Sequence, residues 1–454
     1  MKNKLFYLIG VACILSYTGT FTSCVNGVDD EYLEQKFTDN GGTDKEEGEE
    51  LPDLNGDYGQ GGDYDLLLTC NGEELGGKLI SVATDENNKT ATFILAGTEV
   101  DIETAIATAI PGGVGGLISG MGLKYISNSP IPGEKEISIP NVPLFKNGTA
   151  YRFDSELIQP TYTIAFKGII EDDKMKMDIN YDLTNQTLAG TWDLAAKGEI
   201  IGRFSPLWTD WDSTVNINLG KVSSFDLNKP FNSIFSLVSG PVSSAVMQQI
   251  IGTRISLQTI VKNMLQSVTA EPNGCMFATY SYSGDLTNPQ WSSEMSHNIL
   301  RYYYDAEHPN QKIYLEINAD FLIKMIGSLI PSPSTRAADY DKTKEIGKRL
   351  IKLLVPILQN GIPCEYVLEE NNLTINVDGV ALRDILRVLI ELLNDEVVKT
   401  EVDKVLENLG DFKQNISTML ETMPDALQYA DGDKENGFTG ECSYVKIGLK
   451  LVKK

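Results

Sequence analysis

Two histidines, His297 and His308, are all the imidazole this chain offers for acid–base or nucleophilic catalysis. A Ser-His-Asp device needs one of them between a nucleophile and an acid. No Gly-x-Ser-x-Gly elbow supplies the serine, and His308 directly precedes Pro309, which biases it to extended or turn backbone. Both read as surface histidines. No Cys-x-x-Cys or His-x-x-x-His spacing occurs, so a transition-metal site has no support and no cofactor is implied. Gly72-Glu73-Glu74-Leu75-Gly76-Gly77-Lys78 has phosphate-loop spacing. Its context fails, because Leu79 stands where a metal-holding Ser or Thr belongs, two glutamates would repel phosphate, and no helix follows. It reads as a hairpin turn. Asp431-Gly432-Asp433-Lys434-Glu435-Asn436-Gly437 has the look of a calcium loop, but its glycine falls one place late and Cys442 occupies the twelfth position, where a bidentate Glu is needed. Among 63 acidic residues, some carboxylate pair will always mimic a glycosidase dyad, which is no evidence without a spacing constraint. The chemistry points away from an enzyme.

Aromatic residues offer binding instead. Trp208 and Trp211 flank Thr209-Asp210, Trp291 lies further on, and Tyr302, Tyr303 and Tyr304 are consecutive, so that alternate rings must face opposite sides of a strand. Exposed on one flat face, Trp208, Trp211 and Trp291 would suit sugar rings; the competing role is core packing. Asp212-Ser213-Thr214 resembles the O-glycosylation acceptor of exported Bacteroidetes proteins. Pairing of Cys70, Cys275, Cys364 and Cys442 is open among three connectivities; buried thiols are equally ordinary at such apolar positions, and no catalytic thiol is expected.

The elements that would carry these residues begin after a targeting segment. Met1-Lys2-Asn3-Lys4 is basic, and residues 5–16 are mostly apolar, too short for the roughly 20 residues of a membrane span but suited to a signal h-region. Phe21-Thr22-Ser23-Cys24 resembles a bacterial lipoprotein box in a loose form, with Phe21 where leucine is usual. The resemblance implies that residues 1–23 are removed and that Cys24 carries the lipid, whose buried methylenes each contribute about 0.8 kcal/mol of membrane affinity. The alternative is a plain secretory signal with Cys24 incidental. Asp29-Asp30-Glu31 resembles the acidic export signal of Bacteroidetes surface lipoproteins, which implies the outer membrane with the protein facing the exterior; a merely solvated acidic linker is the alternative. Residues 24–62 are rich in Asp, Glu, Gly and Asn and cannot bury enough apolar surface to offset their ordering entropy. They are expected to form a flexible tether.

From about Gly62 to Ala196 the hydropathy alternates with period two. Tyr162, Ile164 and Phe166, then Met175, Met177, Ile179 and Tyr181, bracket the turn Glu171-Asp172-Asp173 and predict a hairpin with one buried face. Further strands are predicted at residues 64–70, 78–82, 90–95, 136–139 and 188–194. Asn55-Gly56-Asp57-Tyr58-Gly59, the segment Ile137-Ser138-Ile139-Pro140-Asn141-Val142-Pro143-Leu144, and the Tyr162–Tyr181 hairpin together resemble the calycin-like β-barrel domain of Bacteroidetes surface lipoproteins. The resemblance covers about a third of the chain and implies a fold and an address, with little about activity. From about Ser223 onward helices and strands mix. Helical spacing marks Phe321–Leu329, Ile346–Ile357, Leu382–Leu393 and Val402–Met423, and strands are expected at residues 276–282, 299–304, 312–318, 365–368, 373–377 and 445–451. The predicted class is α+β: an N-terminal antiparallel β-barrel or sandwich, calycin-like, over 63–215, then a mixed α+β domain over 216–454.

A formal charge of −25 excludes nucleic acid as a partner, since such binding needs a cationic face. Residues 104–123 and 230–253 carry no charged side chain; their glycines, prolines and serines make them poor membrane spans, so they are expected as packed core, or else as an apolar flap over a cavity. The sequence therefore points to a lipid-anchored envelope lipoprotein that binds without catalysis, glycan being the favoured ligand. A carrier of an apolar small molecule, in the barrel or between helices, and a structural or assembly lipoprotein are the alternatives.

Overall fold

Alternation over residues 162–183 produces an uninterrupted antiparallel ladder from Tyr162↔Leu183 to Glu171↔Lys174. Its inward residues, Ile164, Phe166, Met175, Met177 and Ile179, are buried, as a half-solvated antiparallel pair requires. The computed structural model describes residues 52–101, 124–171, 173–195, 206–222, 225–239, 254–281, 287–292, 300–317, 355–396, 412–427 and 442–454, with a few single residues and short stretches between them. Architecture among these residues is mostly β: a nearly closed eight-strand antiparallel barrel and a curled half-barrel sheet.

The first body comprises β1 (Gly56–Gly59), β2 (Asp65–Cys70), β3 (Glu73–Glu74), β4 (Lys78–Thr84), β5 (Thr90–Gly97), β6 (Glu99–Asp101), β7 (Lys124–Ile126), β8 (Glu136–Asn147), β9 (Ala150–Ile158), β10 (Tyr162–Glu171) and β11 (Lys174–Leu183). The strand order is β1-β4-β5-β8-β9-β10-β11-β2-β3, with β6 and β7 a separate hairpin. Neighbours are antiparallel except β11 and β2, which run parallel. The Tyr64 amide donates to the Asp57 carbonyl at 3.1 Å and its own carbonyl accepts from Gly59 at 2.9 Å, which draws β1 against the start of β2 and nearly seals the barrel. The long strand β8 serves two neighbours by turning a corner. Asn141 adopts φ 59° directly after Pro140, and the register with β5 slips at this point; β8 pairs with β5 on both sides of the bulge, as far as Pro143, and with β9 from Leu144 onward. Proline inside a strand is tolerated at such a bulge.

Phe93, Phe153 and Phe166 fill the barrel interior, with ring centroids 4.7, 6.0 and 6.2 Å apart. Gly168 makes this possible, because a Cβ there would collide with the Phe153 ring and the Lys176 carbonyl. An eight-stranded barrel is just wide enough for side chains to fill.

The second body comprises β12 (Gly190–Leu194), β13 (Leu207–Trp211), β14 (Asn216–Val222), β15 (Phe225–Pro230), α1 (Phe231–Ser239), α2 (Leu257–Met264), β16 (Leu265–Ala270), β17 (Met276–Tyr280), β18 (Leu300–Tyr304), β19 (Lys312–Ile317), β20 (Ile362–Glu369), β21 (Asn372–Val377), α3 (Gly379–Asn394), α4 (Phe412–Ala426) and β22 (Val445–Lys453). Its main sheet runs β17-β16-β12-β22-β21-β20-β19-β18, with β13 also on β22. The sheet curls until a bridge between Cys275 and Arg301 joins its two edges. Two elements depart from expectation. Residues 188–194, expected among the barrel strands, contribute β12 to the second sheet, where Trp192 pairs with Val268 and Lys453. Trp208 and Trp211, in a stretch where no strand is predicted, sit in β13.

Helix α2 starts where the Ser256 hydroxyl accepts the Thr259 amide at 3.1 Å. Helix α3 starts where the Asp378 carboxylate accepts the amides of Val380 and Ala381, each at 3.1 Å. Both are side-chain N-caps that satisfy otherwise orphaned donors. Leu382, Leu386 and Leu393 of α3 are buried, as the helical spacing predicts. One continuous apolar core runs through both bodies. Cys24, the tether to residue 51, nearly all of the run 104–123, the predicted helix 321–329, His297 and the loop 431–437 lie outside the described residues.

Candidate functional site

Side chains alternate across the second sheet, and the pairing register decides which of them share a face. Register sets Trp208 opposite Gly448, Gly448 opposite Asn376, Asn376 opposite Glu365 and Glu365 opposite Lys312. Two residues along, the same face carries Asp210 and Lys446, then Tyr314 beside Tyr303. Nearest the N-terminus of β22, Tyr444 adds its ring. The result is a row of aromatic and polar side chains crossing five strands, half-buried apart from the buried Asn376, about 19 Å from the first to the last at roughly 4.8 Å per strand.

Hydrogen bonds fix the row. Tyr444 Oη donates to Asp210 Oδ2 at 3.1 Å. Lys446 Nζ donates to Glu365 Oε2 at 2.6 Å and lies 5.4 Å from the Tyr444 ring centroid. Asn376 Nδ2 donates to the same carboxylate oxygen at 3.3 Å. Lys312 sits 3.6 Å from Asp378. Tyr314 Oη donates to Asp305 Oδ2 at 3.2 Å, and its ring stacks on Tyr303 with centroids 5.1 Å apart and an interplanar angle of 14°. Partial burial works against ionisation of Asp305, yet the His308 amide and the Tyr314 hydroxyl hold its carboxyl below the usual range. Burial and the adjacent Asp305 push the Tyr314 phenol up. Trp208 lies over Gly448, where an added Cβ would stand 2.7 Å from its Nε1, and that buried Nε1 has no hydrogen-bond partner among the described residues.

Of the three tryptophans singled out by sequence, only Trp208 belongs to this row. Trp211 is three residues away on the same strand and therefore faces the core. It is 3% exposed, its Nε1 donates to the Ala426 carbonyl at 3.1 Å and lies 3.2 Å from Cys442 Sγ, and its ring centroid is 4.6 Å from that of Phe231. Trp291 is half-buried in an isolated bridge with Ser281, beyond the β17 edge and about 14 Å, three strand spacings, from the sheet position of β12. Sequence reasoning missed Asp210, Glu365, Asn376, Tyr314 and Lys446. Alternation along Tyr302-Tyr303-Tyr304 was the usable signal: Tyr302 and Tyr304 are buried, and Tyr303 faces the opposite side.

The remaining candidates settle elsewhere. His308 is exposed, with Nδ1 3.3 Å from Asp305 Oδ1. Gly72–Lys78 forms a hairpin in which β3 folds back on β2 and Lys78 opens β4. The Asp212 carboxylate accepts the Ser443 amide at 2.9 Å, and Ser213, the residue a glycan would modify, is 6% exposed. All four cysteines among the described residues are buried. Burial pushes the Cys70 thiol up to about 11 and the Cys442 thiol up to about 12, and raises Cys364 as well, which suppresses the reactive thiolate. Among the described residues, no three His, Cys, Asp or Glu side chains converge as a metal site requires, and no helix is long and apolar enough to cross a membrane.

A second polar cluster is buried where barrel and sheet meet. Arg301 Nη2 and Glu316 Oε1 lie 2.7 Å apart with side chains 4% and 14% exposed. Arg301 Nη1 also donates to the Pro130 carbonyl at 2.7 Å, and Glu316 Oε2 accepts from Asn128 Nδ2 at 2.7 Å. Lys78 donates to the Asn128 carbonyl at 2.7 Å, and Lys135 to Asn128 Oδ1 at 2.5 Å and to the Gln359 carbonyl. Desolvation brings the Lys78 ammonium down to about 8, with Arg301 adding to the effect. Burial opposes ionisation of Glu316, but Arg301, Lys78 and the Asn128 amide keep it below the usual carboxylate range. Arg301, Glu316 and Lys135 each bond a group of the other body, and Lys78 is held by Asn128 of its own, so the cluster acts as a latch. Compared with protein-family models, with curated proteins and with solved structures, the chain matches none.

Proposed function

We propose that the protein is a lipoprotein held in the outer membrane through Cys24, carried clear of it by the acidic segment 24–62, and that it binds glycan without catalysis on the outer face of the second sheet. In this reading the first body is a calycin-like barrel that serves as a rigid base. The observation that carries the ligand class is the row Trp208, Tyr444 and Tyr314 interleaved with Asp210, Glu365, Asn376 and Lys446 on one sheet face. Aromatic faces supply apolar contact for sugar rings, and the half-buried carboxylates and the Lys446 ammonium supply directional acceptors and donors for hydroxyls, with Asn376 bracing Glu365 from beneath. The length of the row fits an extended oligosaccharide better than a single sugar. A barrel interior occupied by Phe93, Phe153 and Phe166 leaves the carrier reading with less support.

The test is binding of the mature chain to an array of microbial and host polysaccharides, followed by titration calorimetry on any hit. Trp208→Ala is expected to weaken the hit by about 2 kcal/mol, roughly thirty-fold, as for a central aromatic anchor. Full binding by Trp208→Ala, or an array without a hit, would refute the proposal.

A further inference from the structure

Cys70 ends β2 of the barrel, and Cys275 sits just before β17 of the second sheet. The turn from Glu271 to Cys275 is fastened against the end of β2 by the residue that follows Cys70. Asn71, at φ 54°, donates its amide to the Ile179 carbonyl at 2.8 Å and accepts the Tyr181 amide on Oδ1 at 2.9 Å. Its Nδ2 reaches the Asn273 carbonyl at 3.4 Å and lies 4.0 Å from Cys275 Sγ. Asn273 Oδ1 in turn accepts the Cys275 amide at 3.0 Å, and the Cys275 carbonyl accepts the Glu271 amide at 2.8 Å. Both cysteines are fully buried and unbridged in this structure, and they interact electrostatically with each other and with Arg301.

We propose that Cys70 and Cys275 form a disulfide that stitches the barrel to the second sheet, while Cys364 and Cys442 stay as thiols. The other two cysteines are not brought together. Cys364 is opposite Val377, which continues to Ile447 on β22, two strand spacings or about 10 Å away before any offset along the strand. Cys442 lies three residues before that strand begins at Val445, against Trp211. A bridge needs Cα atoms within about 7 Å.

The step is a two-electron oxidation by a disulfide-bearing oxidant, a small-molecule disulfide or a thiol oxidoreductase. Two S–H bonds break, one S–S bond forms, and the oxidant's disulfide is reduced to two thiols that take up both protons. Burial raises the Cys70 thiol to about 11, so the bond forms during folding, before the seam shuts. Only the source of the oxidant rests on the envelope location proposed above; the pairing rests on the fold.

The experiment produces the full mature chain in one host with an oxidising cytoplasm and one with a reducing cytoplasm, traps thiols by alkylation in denaturant, and maps peptides. The oxidising host is expected to yield a Cys70–Cys275 linked peptide with Cys364 and Cys442 alkylated; the reducing host, four alkylated cysteines. Cys364→Ser should keep the link, and Cys70→Ser should abolish it. Complete alkylation of Cys70 and Cys275 in folded protein from the oxidising host, or a link through Cys364 or Cys442, overturns the proposal. Mapping the protein from its own cells separates the two readings: a pair linked in the oxidising host but alkylated there upholds the pairing and refutes the envelope location.

Discussion

Removing one partner of the Arg301–Glu316 pair should be far more damaging than removing both. The pair is almost dry, with side chains 4% and 14% exposed, and it lies where the two bodies join. Glu316→Gln leaves the Arg301 guanidinium at 2.7 Å from the Pro130 carbonyl but without its counter-ion, in a neighbourhood that already holds Lys78. Breaking a buried pair from one side costs about 3–5 kcal/mol, because the surviving charge stays desolvated. Arg301→Met should cost a similar amount through Glu316, less the share that the Asn128 amide at 2.7 Å retains. The double variant Arg301→Met, Glu316→Leu removes both charges and keeps volume, so it should recover most of the loss; replacement of a buried pair by apolar residues is often neutral or stabilising. The assay is unfolding by guanidinium chloride followed by tryptophan fluorescence for wild type, both single variants and the double. A coupling energy of about 3 kcal/mol is expected, barely altered by added salt since buried pairs are poorly screened. Single losses below about 1 kcal/mol, as for an exposed pair, would refute the view that this pair joins the two bodies.

Lys78 predicts a pH dependence at the same seam. Its folded pKa of about 8 lies below the ordinary 10.5, so the unfolded chain binds more protons between these values and stability should rise with pH from about 8. Above the ordinary 9.0 of a thiol the raised Cys364 and Cys442 pull the other way, so the window is about pH 8–9; Lys78→Met should flatten the rise there, and an unchanged slope in urea melts would contradict it. Gly168→Ala should destabilise by about 1–3 kcal/mol through overpacking against the Phe153 ring and the Lys176 carbonyl, measured as a lowered melting temperature; a neutral result would mean the barrel core is looser than described. Trp211→Ala should lose about 3–5 kcal/mol of stability as a core truncation, while Trp208→Ala should lose well under half of that in the same melts.

Local pattern carried much of the architecture. The hairpin of β10 and β11 was legible because Tyr162, Ile164 and Phe166 alternate with polar neighbours and their burial follows that alternation. The same held for β18 to β22 and for the leucine stripe of α3. Strand β16 was not legible. Its sequence Leu265-Gln266-Ser267-Val268-Thr269-Ala270 is half polar and continues directly from α2, so the helical spacing of residues 257–264 runs into it without a stop signal. Residues 188–194 alternate as a barrel strand would, but alternation names a strand and not the sheet that receives it; β12 found its partners at Val268 and Lys453, far along the chain in both directions.

Face assignment was the harder step, and the physics explains why. A slip of one residue in register moves every side chain of a strand to the opposite face, so the role of a tryptophan depends on a pairing made with a distant strand. Trp208 and Trp211 look equivalent in sequence, yet a separation of three on a strand forces them to opposite faces. Pairing β13 with β22 then buries Trp211 against Ala426 and Phe231 and leaves Trp208 outward over Gly448. The one local clue is that glycine. In Val445-Lys446-Ile447-Gly448-Leu449-Lys450-Leu451 alternation puts Lys446, Gly448 and Lys450 on one face, the lysines half-buried and the glycine covered. Glycine is disfavoured inside a strand unless another group approaches closely, and here two do: the Ile375 carbonyl would stand 2.4 Å and the Trp208 indole nitrogen 2.7 Å from a Cβ. A glycine among the lysines of an otherwise regular strand therefore marks a close approach, shared here by the carbonyl of the neighbouring strand and the Trp208 ring, on the face where the aromatic row is built.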